Sequence, residues 1–287
     1  MTYTTIISTD DLAAHVAEPH WAVIDCRFQL KDLGHGRRAY DESHIAGAIY
    51  ADLNEDLSGA IIPGQTGRHP LPPVEAAARK FSEWGIDDNT QVVAYDDAGG
   101  ALAAARLWWM LRWLGHEYAA VLDGGIQKWS REGRPLRSGV ETRPPAAFTA
   151  RPRPDMLVDA GTIQSHLGDS SFRLVDVRAQ ERYRGETEPL DPVAGHIPGA
   201  VNAPVAGSLA EDGRFKSQEA LRAHFNPILG GHTASQTVFY CGSGVNAAHS
   251  ILTLMHAGLG EAKLYAGSWS DWVTDPNRPV RTGEEQA

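Results

Sequence analysis

The sequence predicts an α/β protein of two similar domains, each a mainly parallel sheet with helices on both faces. Short apolar runs of strand type alternate with helical stretches along the chain, the pattern of parallel strands joined by covering helices. A length of 287 residues suits two domains of ordinary size. The halves also repeat one another. Trp21–Ala22–Val23–Ile24–Asp25–Cys26–Arg27 matches Phe172–Arg173–Leu174–Val175–Asp176–Val177–Arg178, and His44–Ile45–Ala46–Gly47–Ala48–Ile49 matches His196–Ile197–Pro198–Gly199–Ala200–Val201. Val92–Val93–Ala94–Tyr95–Asp96 matches Thr237–Val238–Phe239–Tyr240–Cys241, and Gly124 and Trp129 match Gly267 and Trp272. Four blocks kept in one order mark a diverged internal duplication.

In chain order, residues 8–16 read as a helix opening on an N-cap candidate, Ser8, and Trp21–Cys26 as a strand. Pro73–Trp84 reads as a helix stopped by Gly85, and Gln91–Tyr95 as a strand. Ala101–Leu114 is a long apolar helix ended by Gly115, and Tyr118–Leu122 another strand. The second half repeats this from Met156 onward. Residues 138–154 are rich in Pro and Arg and have no period, so they read as an extended surface linker. It divides a domain of residues 1–137 from one of residues 155–287.

Composition is that of a globular protein, with 42% hydrophobic residues, and a net charge of −10 argues against nucleic acid or an anionic membrane as partner. The first residues have no basic region before an apolar core, so no signal peptide is expected. No run of about 20 apolar residues spans a bilayer. The two cysteines, Cys26 and Cys241, exclude a disulfide framework and fit a reducing, cytoplasmic setting.

The chemistry centres on Cys241. The apolar run Thr237–Tyr240 ends at this cysteine, Gly242 and Gly244 follow, and a helical run begins at Val245. Strand, tight loop and helix in succession put the thiol at the carboxyl end of a parallel strand, where ligands bind in such sheets. Loop amides and a helix N-terminus there favour an anion. Cys241 therefore reads as a nucleophile in a backbone cradle. Cys26, inside an apolar strand with no glycine beside it, reads as a core group. Asp25 with Arg27 and Asp176 with Arg178 read as buried pairs that fix strand ends. His44 and His196 read as structural, and His249 as packing.

Together these blocks resemble the tandem rhodanese-type sulfurtransferases, the family of the 3-mercaptopyruvate and thiosulfate sulfurtransferases. The residues that carry the resemblance are the Asp-x-Arg strand ends, Gly195–His196–Ile197–Pro198–Gly199–Ala200, the Cys241 loop, and Gly267–Ser268–Trp269–Ser270–Asp271–Trp272. It implies two rhodanese-like domains, with residues 1–137 inactive and residues 155–287 catalytic. Asp96 stands where Cys241 stands, and a carboxylate carries no persulfide. The implied reaction is ping-pong. Cys241 takes sulfur from a donor as a persulfide, and a thiol, cyanide or a thioredoxin-like acceptor removes it. No cofactor or metal is implied.

The resemblance also assigns a site. Thiosulfate users have basic residues after the nucleophile, whereas mercaptopyruvate users have Cys-Gly-Ser-Gly-Val-Thr. Here the loop is neutral, Cys241–Gly242–Ser243–Gly244–Val245–Asn246, with Asn246 in place of the threonine. This favours 3-mercaptopyruvate as donor, with thiosulfate second. Gly242, Gly244, Val245 and Asn246 form the cradle. Arg182 matches the arginine that holds the donor carboxylate, with Arg184 beside it as a further candidate. Mercaptopyruvate users have another arginine nine positions on, where this chain has Asp191, as thiosulfate users do. Ser243 and His69 match two members of a Ser-His-acid relay, and the stretch Asp52–Leu53–Asn54–Glu55–Asp56 holds the candidates for the acid.

Rival classes fit less well. A phosphatase of related fold needs Cys-x5-Arg, and the sixth residue after Cys241 is Ala247. A non-catalytic sulfur-binding module has no need of the cysteine and its full loop. The twelve histidines show no metal-ligand spacing, and no Gly-x-Gly-x-x-Gly follows a strand.

Overall fold

A computed structural model of the chain describes residues 2–285. The chain forms two compact units. The first comprises the residues up to Gly59, Pro72–Arg153 and Leu209–Phe215, and the second Ala60–Leu71, Pro154–Ser208 and the chain from Lys216.

The first unit runs β1 (Ile6–Ile7), α1 (Thr9–His15), β2 (Trp21–Asp25), α2 (His35–Glu42), β3 (His44–Ile45), β4 (Ile49–Tyr50), α3 (Val74–Glu83), β5 (Gln91–Tyr95), α4 (Ala103–Trp113), β6 (Ala119–Leu122), α5 (Gly125–Arg131) and β7 (Leu136–Arg137). Five strands make a parallel sheet in the order β1-β6-β5-β2-β4, and β3 pairs antiparallel with β7. β2 and β5 pair from Trp21 against Gln91 to Asp25 against Tyr95 and are buried throughout, as strands covered on both faces must be. Ser8 caps α1, its Oγ accepting from the Asp11 N–H at 3.0 Å. Every residue of α4 is buried, Arg106 and Arg112 among them, and the rest of the helix is apolar. It starts two residues later than its apolar pattern predicts. The Asp96 carboxylate takes the N–H of Leu102 at 3.1 Å and of Ala104 at 3.3 Å, and the chain before Ala103 curls around it.

Residues 138–153 form neither helix nor strand. They are hydrogen-bonded along the first unit, with the Ala146 N–H on Ser82 O at 2.9 Å and the Arg151 N–H on Leu114 O at 2.8 Å.

The second unit contains α6 (Ala160–Ser165), β8 (Arg173–Asp176), α7 (Gln180–Tyr183), β9 (Val201–Asn202), α8 (Gln218–Leu229), β10 (Thr237–Tyr240), α9 (Val245–His256), β11 (Lys263–Leu264) and α10 (Ser268–Trp272). Its parallel sheet has the order β11-β10-β8-β9, the order of β6-β5-β2-β4 in the first unit. Leu157 bridges Leu264 where the first unit has β1 against β6. Among the described residues no helix is long and apolar enough to cross a membrane.

The Asp-x-Arg blocks behave alike in both units. Arg27 Nη2 reaches Asp25 Oδ2 at 2.6 Å, Arg178 Nη2 reaches Asp176 Oδ2 at 2.6 Å, and all four side chains are buried. Each arginine then donates to a carbonyl beyond its strand, Ser43 O or Gly195 O, both at 2.6 Å. His44 stacks on Tyr40 and His196 on Tyr183, each Nδ1 against the carbonyl of that tyrosine at 2.7 and 2.8 Å. Cys26 is fully buried, and burial together with the carboxylates of Asp25 and Asp96 pushes its thiol up, so it stays a neutral core group.

The buried pair generates a prediction. Asp25→Ala strips Arg27 of its carboxylate and should lower unfolding free energy by about 3–5 kcal/mol in urea denaturation, because an uncompensated buried charge remains. Adding Arg27→Leu should restore part of that loss. A single variant as stable as the parent would refute the strand-end role.

Candidate active site

β10 ends one residue before Cys241, and the loop that follows is shaped by backbone contacts. Trp269 N–H donates to Cys241 O at 3.0 Å, and Ser270 N–H to Gly242 O at 2.9 Å. Gly244 has φ 80, and a Cβ there would lie 2.2 Å from Ala266 O, so only glycine fits. With the chain turned this way, the Gly244 N–H points back at Cys241 Sγ, 3.1 Å away. Gly244 is the N-cap of α9, and no side chain caps that helix, whereas Ser8, Asp159 and Ser217 cap α1, α6 and α8. The N-cap N–H of a twelve-residue helix thus lies on the sulfur. Val245 is buried and Asn246 half-buried in this first turn.

The first unit has the same loop after β5, filled differently. Asp96 is fully buried there, and its carboxylate accepts the N–H groups of Ala98 at 2.9 Å, Gly100 at 2.7 Å, Leu102 and Ala104. Burial raises the Asp96 pKa, and the N–H donors oppose the rise.

Cys241 N–H donates to Ser268 Oγ at 3.0 Å, and Ser268 Oγ donates to Tyr265 O at 2.9 Å. Ser268 has φ 55, and among the described residues it is the one non-glycine with positive φ. Its counterpart in the duplication is Gly125, also at φ 55. A left-handed serine costs on the order of 1–3 kcal/mol, and such strain gathers at functional sites. Sequence reading missed this role. The signal was the internal alignment, where a position that is glycine beside Asp96 is serine beside Cys241.

The segment 60–71 belongs to the second unit and brings Arg68 and His69 to the loop. His69 Nδ1 lies 2.7 Å from Ser243 Oγ, and both residues are buried. The stretch Asp52–Asp56, where the acid of the relay was sought, belongs to the first unit. There Asp52 Oδ1 accepts the Asn54 N–H at 2.8 Å, and Asp56 pairs with Lys80 at 3.1 Å.

Arg182 stands over the loop. A Cβ built on Gly242 would lie 3.6 and 3.7 Å from its Nη1 and Nη2. It also pairs with Glu188 at 2.6 Å and Asp191 at 3.3 Å, both nearly fully buried. Glu188 in turn meets Arg178 Nη1 at 3.3 Å, and Asp191 meets Arg68. The result is a line of alternating charge: Asp176, Arg178, Glu188, Arg182, Asp191, Arg68. Arg178 lies over the Trp269 ring at 4.6 Å. Arg184 is held elsewhere, on Glu284 and Glu186, and is not brought to the Cys241 loop. His249 is fully buried within α9. Among the described residues no group of three or more His, Cys, Asp or Glu could hold a metal ion. Sequence reading missed Arg68 and Glu188, whose significance lies in contacts distant along the chain.

Both halves of the chain are similar to known proteins. Residues 8–132 and 159–275 each match the rhodanese-like domain. The chain is 47% identical to a protein of Pseudomonas aeruginosa named "Probable 3-mercaptopyruvate sulfurtransferase", over 99% of this chain and 100% of that one. It is 34% identical to the thiosulfate sulfurtransferase of Rattus norvegicus, over 94% of this chain and 92% of that one. The solved 3-mercaptopyruvate sulfurtransferase from Leishmania major superposes with a TM-score of 0.85 at 32% identity, covering 96% of this chain and 75% of that one. With two matched domains and relatives of this identity along almost its whole length, the chain belongs to the rhodanese family, as a sulfurtransferase of two rhodanese-like domains.

Proposed function

We propose that this sulfurtransferase moves the sulfur of 3-mercaptopyruvate to a thiol or to cyanide through a persulfide on Cys241. One observation carries the reading: an uncapped helix start lies on the Cys241 sulfur, and a His–Ser couple stands on the same loop. The Gly244 N–H lies 3.1 Å from Sγ, and His69 Nδ1 lies 2.7 Å from Ser243 Oγ. The Cys241 thiolate attacks the donor sulfur, an S–S bond forms, and the donor's C–S bond breaks. The electron pair leaves on the enolate of pyruvate. The enolate takes up one proton at carbon and the new persulfide gives up one at sulfur, so charge and protons balance. The His69–Ser243 couple is suited to carry that proton. The persulfide anion then rests against backbone N–H groups. An acceptor thiolate or cyanide attacks its outer sulfur, the S–S bond breaks, and the Cys241 thiolate returns. A thioredoxin-like protein is a fitting acceptor, and the free thiols Cys26 and Cys241 suit a cytoplasmic, reducing setting.

Charge supports the keto acid as donor. Arg68, Arg178 and Arg182 are already matched by Asp176, Glu188 and Asp191, and the loop itself is neutral. One further negative charge is tolerable there, whereas the two of thiosulfate enter a largely buried site with nothing left to offset the second. Arg182, with Nη1 toward Gly242, is placed to take the donor carboxylate. A thiosulfate:cyanide activity is the second reading, favoured by Asp191 at the position where mercaptopyruvate users carry an arginine.

Steady-state kinetics with cyanide as acceptor test the donor, with kcat/KM expected to be higher for 3-mercaptopyruvate than for thiosulfate. A reversed order would overturn the donor assignment and leave the reaction class. Cys241→Ser should abolish both turnover and the mass gain of one sulfur seen after mixing with donor, with the unfolding midpoint preserved. Thiocyanate formed at the parent rate would sink the persulfide. Arg182→Ala should raise KM for the keto acid about 10- to 100-fold, the worth of a charge-assisted hydrogen bond, while alkylation of Cys241 by neutral iodoacetamide keeps its rate. An unchanged KM would remove Arg182 from the site.

A further inference from the structure

We infer that Ser270 is the positioning residue that sets His69 against Ser243. This deepens the proposed reaction and rests on the His69–Ser243 couple assigned there. His69 comes from the segment 60–71, which carries no helix or strand and lies in the second unit. A segment of that kind needs a fixed point, because two groups pass a proton only when they keep hydrogen-bond distance. Ser270, buried in α10, supplies it. Its Oγ accepts the N–H of Arg68, the residue before His69, at 3.0 Å and donates to Gly267 O at 3.3 Å. Gly67 allows the approach. A Cβ there would lie 2.6 Å from Ser270 Oγ and 2.6 Å from Gly267 O.

The same residue also holds the nucleophile's loop. Ser270 N–H donates to Gly242 O at 2.9 Å. Ser270 thus grips the Cys241 loop by its backbone and the His69 segment by its side chain. The 2.7 Å between His69 Nδ1 and Ser243 Oγ is bounded from both sides by this one residue. The first unit divides the work differently. The counterpart of Ser270 in the duplication is Gln127, and its Nε2 donates to Asp97 O, the carbonyl that corresponds to Gly242 O. There the side chain itself holds the loop, beside a carboxylate that moves no sulfur. In the second unit the backbone N–H makes that bond, and the hydroxyl is left for the segment that carries His69. A clamp on the loop alone needs no hydroxyl at this position. A link between the loop and the histidine does.

The test separates placement of His69 from reactivity of the thiol. Ser270→Ala removes the hydroxyl and keeps every backbone bond. In a single turnover with 3-mercaptopyruvate, pyruvate release should slow about tenfold, the worth of one hydrogen bond. The donor concentration for half-saturation should change by less than about twofold, because the hydroxyl touches no donor. Alkylation of Cys241 by neutral iodoacetamide should keep its rate, since the Gly242 contact is untouched. In a double-mutant cycle, Ser270→Ala should slow His69→Ala by less than about twofold further. Gly67→Ala, which drives the segment off the same hydroxyl, should give the same signature. Pyruvate release at the parent rate in Ser270→Ala, a changed alkylation rate, or a loss that adds in full to that of His69→Ala would overturn the positioning role. A parent that releases no pyruvate, or His69→Ala at the parent rate, would instead remove the reading on which the role rests, and the role with it.

Discussion

Backbone N–H groups left uncapped at the end of a parallel strand are the constraint on which the second unit depends. A helix start normally satisfies its first donors with a side chain or with water. At α9 no side chain does so, and a glycine at φ 80 turns the donors onto a sulfur instead. The rest of the site follows from that choice. The nucleophile has to stand where the strand stops, the next residues have to be small, and α10 has to hold the loop by its carbonyls. The first unit shows the same cradle holding a carboxylate with four backbone donors.

Around this cradle the second unit arranges charge in an alternating line from the strand end to the segment at residue 68. Glu188 and Asp191 are each shared between two arginines, and Asp176, Arg178, Glu188 and Asp191 are buried. Buried ion pairs of this kind add little net stability, but the loss of one member strands its partner. The line therefore works as a positioning device. Asp176 and Arg178 belong to the sheet, Glu188 joins them to Arg182, and Asp191 passes the order to Arg68. On the proposed reading this order fixes Arg182 relative to Cys241, and a small anionic donor has few atoms by which to be held.

Much of this was legible in the sequence because the elements are local. Apolar runs gave β2, β5 and β10 within a residue, since strands buried on both faces write themselves as unbroken hydrophobic stretches. The duplication gave Cys241 its meaning by setting Asp96 opposite it. The start of α4 was misplaced because the helix pattern does not record that a carboxylate captures the first N–H groups. Arg182 matched the family arginine in the sequence, and Arg184 stood beside it as a weaker candidate. Two residues apart on a helical turn they point to opposite sides, and one faces the loop while the other faces Glu284. Arg68 was invisible for a different reason. Its importance comes from Asp191, 123 residues away, and no periodicity marks a pairing of that kind.

Asp96 carries a consequence for energetics. A tethered carboxylate can never leave its ring of donors, so the first unit keeps that local order at all times. In the second unit the guest arrives and departs with every turnover. In the resting thiol the Gly244 N–H already rests on Sγ, and the second sulfur of the proposed persulfide would bring a further acceptor beside it, a gain that linkage turns into stability. The charged form of the enzyme should accordingly be the stiffer and more protease-resistant one, and the resting thiol the softer, which makes cargo a determinant of shape as well as of reactivity.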